Sequence, residues 1–484
     1  MEPGIREKYQ AVIGLEVHTQ MLTASKAYSA DENSYGASPN TLVSPITLGH
    51  PGTLPVVNEK TIEFAIRLGL ACDCEIAGHQ YFARKNYFYP DLPKGYQITQ
   101  DKTPICQGGF VLIRDENGNE KNIGLTRIHM EEDAGKSIHD VDVYDTLVDL
   151  NRAGVPLLEI VTEPDIRSSQ EAYGFLTEVR KLVRYLEICD GNMEEGSMRC
   201  DANISVMLKD AKEFGTKVEV KNMNSIRNVQ RAIEFEITRQ IETLESGGSL
   251  SQETRAFDAL KGITISLRSK EAANDYRYFP EPDLPPLFIG KEQIDAVAKD
   301  MPPLPRALFL KYTQELQLSA YDAYNLTDNK AIAMFFEDVI EHTKEYKSAA
   351  NWVMGEVKSF LNEKGVEIHD FPISPARLAG LITLIQQGKV SNSIAAQRIF
   401  PEMLNGDETA EAIAQKLDLI QSSDDGVLNE YIAKVMELNP TEVARYRAGE
   451  KQLIGFFMGQ LMKVSGGKAD PKVSNQMLRK NLDA

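Results

Sequence analysis

Cysteine is scarce. The 484 residues hold five, Cys72, Cys74, Cys106, Cys189 and Cys200. They are too few and too unevenly spaced for a disulfide framework, which points to a reducing compartment. Cys72-Asp73-Cys74 is too tight for a usual zinc pair and has no second pair nearby. Long apolar runs are missing too. No stretch approaches the roughly 20 apolar residues of a membrane span, and MEPGIREKYQ lacks the apolar core of a signal peptide. A cytoplasmic location with no membrane partner is therefore expected. Positive charge is also short. Lys and Arg number 53 against 71 Asp and Glu, a net charge of −18. That argues against a general nucleic-acid binder but leaves room for a local basic patch.

What is present is an ordinary globular balance, 42% apolar and 26% charged residues, over a length suited to about three domains. Residues 1–291 mix short β-type runs, Pro/Gly turns and a few helices. A proline-rich joint, YFPEPDLPPLF, Tyr278 to Phe288, marks their end. From Glu292 the pattern turns helical. KEQIDAVAKDM, DNKAIAMFFEDVIEHT, SAANWVMGEVKSFLNEKG and SPARLAGLITLIQQGK all repeat apolar residues at three- and four-residue spacing. A helical domain is expected over 292–405 and a small helical tail over 406–484. In the tail, Asn439-Pro440 and Asp470-Pro471 each place a cap residue before a proline at the first helical position. Two amphipathic helices are expected inside the first domain. SSQEAYGFLTEVRKLVRYLEI starts on Ser168 or Ser169, and SIRNVQRAIEFEITRQIETLESGG sets Ile226, Val229, Ile233, Ile237, Ile241 and Leu244 on one stripe. Both suit one face of a sheet.

The stretch HMEEDAGKS, His129 to Ser137, ends like a phosphate-binding loop. Such a loop needs a glycine five places before Gly135, and Met130 stands there. What remains is a His and three carboxylates within five residues. They suit either Mg²⁺, which prefers hard oxygen ligands, or a solvated acidic turn.

The strands say more. In AVIGLEVH, Ala11, Ile13, Leu15 and Val17 share one face, and Gly14, Glu16 and His18 the other. Glu16 and His18 project side by side, as a shared metal ion requires. In MRCDANISVM, Met198, Cys200, Ala202, Ile204 and Val206 face in, and Arg199, Asp201, Asn203 and Ser205 face out. In TKVEVKN, Val218 and Val220 face in, and Lys217, Glu219 and Lys221 out. One such strand is ordinarily a half-buried strand with a wet side. Several together, with HMEED and NMEEGS, suggest a sheet whose polar face is a metal–phosphate site. ARKNYFYPDLPKGYQITQ and NDYRYFPEPD add basic and aromatic turns.

These segments together resemble the B-subunit family of the aspartyl/glutamyl-tRNA amidotransferases. The resemblance rests on VIGLEVHTQ, PGTLPVVN, RKNYFYPDLPKGYQITQ, TRIHMEEDAGKS, DLNRAGVPLLEIVTEPD, MEEGSMRCDANIS, VEVKNMNS and DYRYFPEPDLPPL, and extends to NWVMGEV and GFFMGQLMK. The fold it implies is α+β: a glutamine-synthetase-like cradle with an antiparallel sheet over 1–291, then the all-α domain and the all-α tail. The activity it implies uses ATP and Mg²⁺ to phosphorylate the side-chain carboxylate of Glu on tRNA-Gln or Asp on tRNA-Asn. Ammonia then replaces phosphate.

Activating a carboxylate in this way needs a metal that bridges phosphates and neutralises charge. Glu16, His18 and Glu132 are the expected metal ligands, with Glu131 beside them. Glu194, Glu195 and Glu219 are expected at a further metal or in positioning ammonia. Lys136, Arg199, Lys221 and Arg277 are expected to meet ATP or phosphate. No Cys or Ser has a convincing activating partner for glutamine hydrolysis. The implied partners are therefore the family's glutaminase, its A-subunit, and a small C-subunit that ties the two together in a heterotrimer. Many relatives hold a cysteine zinc knuckle before the PGTLP turn. Here Ser29 and Ser44 stand where thiolates would be, so no zinc is expected.

Two other readings stand beside this one: an ATP-dependent carboxylate–amine ligase for a small molecule, and a non-catalytic assembly scaffold. The tail favours a nucleic-acid substrate. From Thr441 to Ala484 basic residues outnumber acids, and Lys463, Lys468, Lys472, Arg479 and Lys480 are the expected tRNA contacts.

Overall fold

The computed structural model describes residues 4–115, 117–139, 141–269, 275–420, 425–467, 469 and 471–483. The chain forms two compact units, 1–304 and 305–484.

The first unit is α+β. Its frame is a ten-stranded sheet. The strands are β1 (Tyr9–Gln20), β2 (Glu75–Ile76), β5 (Cys106–Gln107), β6 (Phe110–Arg114), β7 (Glu120–Glu132), β8 (Pro156–Thr162), β9 (Met198–Leu208), β10 (Val218–Lys221), β11 (Glu253–Asp258) and β12 (Ile263–Ser269). Their order is β12-β11-β10-β9-β1-β8-β7-β5-β2, with β6 on β7. Every pair is antiparallel except β10–β11. Two further strands, β3 (Ala83–Asn86) and β4 (Tyr96–Thr99), pair with each other, and Phe279–Pro280 pairs with β3.

Helices α1 (Glu59–Ala71), α2 (Ser169–Tyr185) and α3 (Ile226–Glu245) supply the other half of the core. Ile13, Leu15, Val17, Ile128, Leu158, Ile204 and Val220 from the sheet are buried with Phe175, Leu176 and Val179 of α2 and Val229, Ile233 and Ile237 of α3. Ser168 caps α2 by accepting from the Glu171 amide, and Ser225 caps α3 through the Asn228 amide. The apolar stripe expected on α3 is the stripe that is buried, with Leu244 packed at its rim.

The proline-rich joint is stitched into this unit. Phe279–Pro280 extends β3, Leu287–Phe288 pairs with His79–Gln80, and Arg84 grips Glu281 with two bonds of 2.7 Å. Helix α4 (Lys291–Lys299) also lays Ile294 and Val297 on this core. The compact division therefore falls after Leu304 rather than at 291/292.

The second unit is helical throughout its described residues. In its last part, α5 (Asp425–Leu438), α6 (Pro440–Arg447), α7 (Ile454–Val464) and α8 (Pro471–Asp483) enclose a small core. Leu428, Val435, Tyr446, Phe457, Leu461 and Leu478 meet there. Pro440 opens α6 as expected, but the Asn439 side chain bonds back to the Val435 carbonyl instead of capping. Asp470 lies outside the described residues. Among those residues no helix is long and apolar enough to cross a membrane.

Candidate active site and metal face

Partners directly opposite in an antiparallel ladder share a face, so the register of β9, β1, β8 and β7 builds the polar face. One row runs Arg199–His18–Glu159–His129 across these four strands. The next runs Asp201–Glu16–Val161–Arg127. Beyond it, Glu219 of β10 faces Asn203, which faces Gly14.

Two groups of three metal-type ligands result, His18/Glu131/Glu159 and Glu16/Asp201/Glu219, each with ligand atoms within 4.8 Å of one another. In the first, His18 Nε2 stands 3.2 Å from Glu159 and 3.7 Å from Glu131. His129 Nε2 stands 3.4 Å from the same Glu159 oxygen, while its Nδ1 is buried without a hydrogen-bond partner among the described residues. In the second, Lys221 Nζ holds Asp201 at 2.5 Å and Glu219 at 3.2 Å, and Asn203 donates to Glu16 at 2.9 Å.

The electrostatics follow from crowding. Burial and the charge of Glu159 push Glu131 up to about 7. Glu159 goes the other way: burial resists its charge, but the His18 hydrogen bond and the two imidazoles hold it well below the usual carboxylate range. Burial drives His129 down to about 4. Burial, Glu159 and Asp201 raise Glu16. Closely packed carboxylates with one imidazole, one of them forced toward neutrality, form the donor set that a hard divalent cation relieves.

The structure separates the expected residues. Glu16 and His18 project from one face of β1 but join different groups. Glu132 does not join them. It alternates with Glu131 along β7, so it turns away to an ion pair with Lys94 and to the Ile98 amide at 2.8 Å. There it lines a cavity of about 100 Å³ with Tyr28, Thr47, His50 and Lys94. Glu131 and Glu219 stand in the two groups. Glu194 and Glu195 sit on an exposed turn around Asn192 Oδ1 and belong to neither.

Of the expected phosphate contacts, Arg199 and Lys221 lie on the face. Arg199 is held by the buried Asp133 at 2.7 Å. Lys136 is exposed on a strand, Lys136–Ile138, that pairs with Leu147–Asp149. No helix follows it, so Gly-Lys-Ser is not a phosphate loop. Arg277 is exposed on a turn with φ 48°, where its amide donates to Asp275 Oδ1.

Sequence reasoning missed Glu159 and Lys85, and gave Asp133, one of the three HMEED carboxylates, no role of its own. Glu159 had a signal: it interrupts PLLEIV, a run in which an acid has no reason to be unless it is used. Asp201 and Asn203 were placed on the polar face but given no role. Lys85 was one basic residue among several in a turn-rich segment. Burial works against its charge, yet Glu131, Tyr278 and Glu159 raise its pKa above the usual lysine value. Around the absent knuckle, Asp31 is a hub. Its carboxylate accepts from Thr47 Oγ1 and from the Ser44 amide at 2.9 Å, and its own amide donates to Ser29 Oγ at 3.4 Å.

In the tail, Lys463, Arg479 and Lys480 are exposed. Lys468 and the side chain of Lys472 lie outside the described residues.

A mostly antiparallel sheet with helices on one face and paired acidic clusters, lysine and arginine on the other defines a catalytic domain of the α+β class. Comparison makes it specific. Residues 11–295 match the GatB/GatE catalytic domain and residues 334–482 the GatB domain. The chain is 50% identical to the B-subunit of the aspartyl/glutamyl-tRNA(Asn/Gln) amidotransferase of Thermodesulfovibrio yellowstonii, over 98% of this chain and 99% of the relative. It is 52% identical to the same protein of Geobacter sulfurreducens, over 98% and 99%, and 50% identical to that of Chlorobaculum tepidum, over 98% and 100%. The chain belongs to this family of amidotransferase B-subunits.

Proposed function

We propose that the chain is the transamidating component of a tRNA-dependent amidotransferase acting in cytoplasmic translation. The reaction phosphorylates the side-chain carboxylate of Glu on tRNA-Gln or Asp on tRNA-Asn with ATP, and ammonia replaces the phosphate. The observation that supports this most is the pairing of two acidic clusters with Arg199 and Lys221 on one sheet face, with Lys85 of β3 close to Glu131 and Glu159.

His18, Glu131 and Glu159 fit a Mg²⁺ ion, and Glu16, Asp201 and Glu219 fit a second. When bound, Mg²⁺ supplies charge that neutralises phosphate oxygens. The chain's own groups do the rest. Asp133 fixes Arg199 at the edge of the face, and Lys85 and Lys221 bring ammonium charge to where phosphate gathers. Glu132 and Lys94 border the ~100 Å³ cavity, large enough for ammonia. Glu132 is thus an ammonia-positioning carboxylate rather than a metal ligand. Glutamine hydrolysis falls to a separate glutaminase, the A-subunit, joined through a small C-subunit. Lys463, Arg479 and Lys480 provide a basic surface for tRNA backbone.

The test is amide formation by the three-protein complex on each mischarged tRNA with ATP and Mg²⁺. Product on neither tRNA, with both partners present and active, would falsify the reading.

A further inference from the structure

One arginine on the acidic face is unpaired. Arg127 of β7 ends the row Asp201–Glu16–Val161–Arg127, and it is half-buried. Its guanidinium has no hydrogen-bond or ion-pair partner among the described residues. Only its Nε is cut off from solvent, so the two Nη atoms form the open edge. The cations around it are engaged. Arg199 binds Asp133 at 2.7 Å, and Lys221 binds Asp201 at 2.5 Å and Glu219 at 3.2 Å. Lys85 Nζ lies 5.2 Å from the centre of the Tyr276 ring.

The backbone accounts for the placement. Val161 faces Arg127, but the next residue, Thr162, faces Leu125, so β7 bulges at Thr126. Before the bulge, Ile123 and Leu125 point into the core. Plain alternation from Leu125 would send Arg127 into the core as well. The bulge re-aims it onto the polar face, a use that bulges have beside active sites. Thr126 stays exposed, and its hydroxyl donates to Glu163 Oε1 at 2.8 Å.

Along the row, Val161 alone is apolar. Neighbouring strands lie about 4.8 Å apart, so the backbones of Glu16 and Arg127 are roughly 10 Å apart with only Val161 between them. An anion over Val161 has the acidic groups on one side and the guanidinium on the other.

We propose that Arg127 binds the phosphate chain of the nucleoside triphosphate, its Nη edge on phosphoryl oxygens over Val161. A guanidinium presents paired donors to phosphate, which a lysine does not. Charge favours a nucleotide over the tRNA backbone. Five carboxylates, those of Glu16, Glu131, Glu159, Asp201 and Glu219, crowd this face. They repel a bare phosphodiester, whereas a triphosphate arrives with Mg²⁺ that offsets them. In the phosphorylation, a carboxylate oxygen of the aminoacyl group attacks the terminal phosphorus. The bond from that phosphorus to the bridging oxygen breaks, and ADP leaves with the electron pair. Arg127 gives up no proton and only donates hydrogen bonds.

This assignment rests on the proposed function, and binding measurements separate the two. The three-protein complex, as parent, Arg127→Lys and Arg127→Gln, is titrated calorimetrically with Mg-ATP, and separately with tRNA in the absence of nucleotide. Arg127→Gln should weaken ATP binding by about 10-fold or more, the loss usual for a hydrogen bond to a charged group. Arg127→Lys should recover part of it, because charge returns without the paired donors. Affinity for tRNA should not change in either variant. In the parent, phenylglyoxal should modify Arg127, as read by peptide mass spectrometry, and Mg-ATP should protect it. Unchanged ATP binding in Arg127→Gln, a loss confined to tRNA, or modification of Arg127 indifferent to Mg-ATP would each overturn the assignment. The protection measurement decides it even if a variant fails to fold. A parent that forms amide while Arg127→Gln binds ATP as tightly sinks the assignment alone, whereas a parent that forms no amide sinks the proposed function and this with it.

Discussion

His18 and Glu132 are the residues whose substitution best divides the site. His18 lies within 3.2 Å of Glu159 in the first acidic group, whereas Glu132 faces Lys94 and the Ile98 amide. His18→Ala should cut amide formation by at least about 10–100-fold, the loss usual for groups that only orient a metal ligand, and raise the Mg²⁺ needed for half activity. Glu132→Ala should also lose amide formation but leave the Mg²⁺ requirement unchanged. A Mg²⁺ titration of both variants in the three-protein complex checks this, and a shared shift in Mg²⁺ requirement would return Glu132 to the metal. Glu194→Gln and Glu195→Gln, on their exposed turn, should leave both quantities near the parent's. Asp31 gives a second test at this scale. Burial resists its charge, but Thr47 and Ser44 hold its pKa below the usual 3.8. Its contribution to the loop is thus complete above pH 3.8 and lost as pH falls through the lower folded value. Asp31→Ala should expose the Ser44 amide to hydrogen exchange at about pH 7, as acid does in the parent, while elemental analysis finds no stoichiometric zinc in either.

At the scale of elements, the alternation of β1, β9 and β10 was legible because strand side chains have a period of two, and one polar residue per step marks the wet face. The helices α2 and α3 were legible for the same reason at a period of about 3.6, with caps at Ser168 and Ser225. What could not be read was adjacency. Nothing in the sequence says that Glu159 of β8 stands between His18 of β1 and His129 of β7, because that register is set by long-range pairing. For the same reason the sequence assigns the metal to Glu132 with Glu131 beside it, whereas β7 extends through both, sends them to opposite sides and leaves Glu131 in the acidic group. The proline-rich joint misled differently: its prolines mark turns, but its Phe279–Pro280 and Leu287–Phe288 pairs tie it back to the first unit. Packing of α3 on the sheet is testable. Ile233 is fully buried in the shared core, so Ile233→Ala should cost about 2–5 kcal/mol of stability. Ser225→Ala, which removes only the cap of the same helix, should cost about 1 kcal/mol. Urea denaturation of the first unit's transition ranks the two, and a cap loss equal to the core loss would show that α3 is held by its end rather than its face.

Over the whole molecule, charge is distributed against the net balance. A chain of net charge −18 repels nucleic acid unless a local surface opposes that field. Several tail cations are already spent inside the tail: Arg445 on Glu450, Lys451 on Asp483, and Arg447 on the Leu482 carbonyl. Lys463 at the end of α7 and Arg479 and Lys480 on α8 stay exposed, while Phe457, Leu461 and Leu478 of the same helices form the core beneath them. Replacing the exposed three with glutamate therefore alters the surface without touching the packing. Phosphate-binding groups position a nucleic acid without reading its sequence, and each one adds about −0.9 to the log–log salt slope for duplex. The triple variant Lys463→Glu, Arg479→Glu, Lys480→Glu should bind both tRNA-Gln and tRNA-Asn more weakly, by similar factors. Its salt slope should flatten by roughly one unit for each phosphate no longer held. Glutamine hydrolysis by the partner glutaminase, which needs nothing from the tail, should persist at its basal rate. Affinity across a salt series for the parent and variant complexes is the measurement. Equal affinities and equal slopes would place tRNA on the acidic-faced unit alone and leave the tail a structural element.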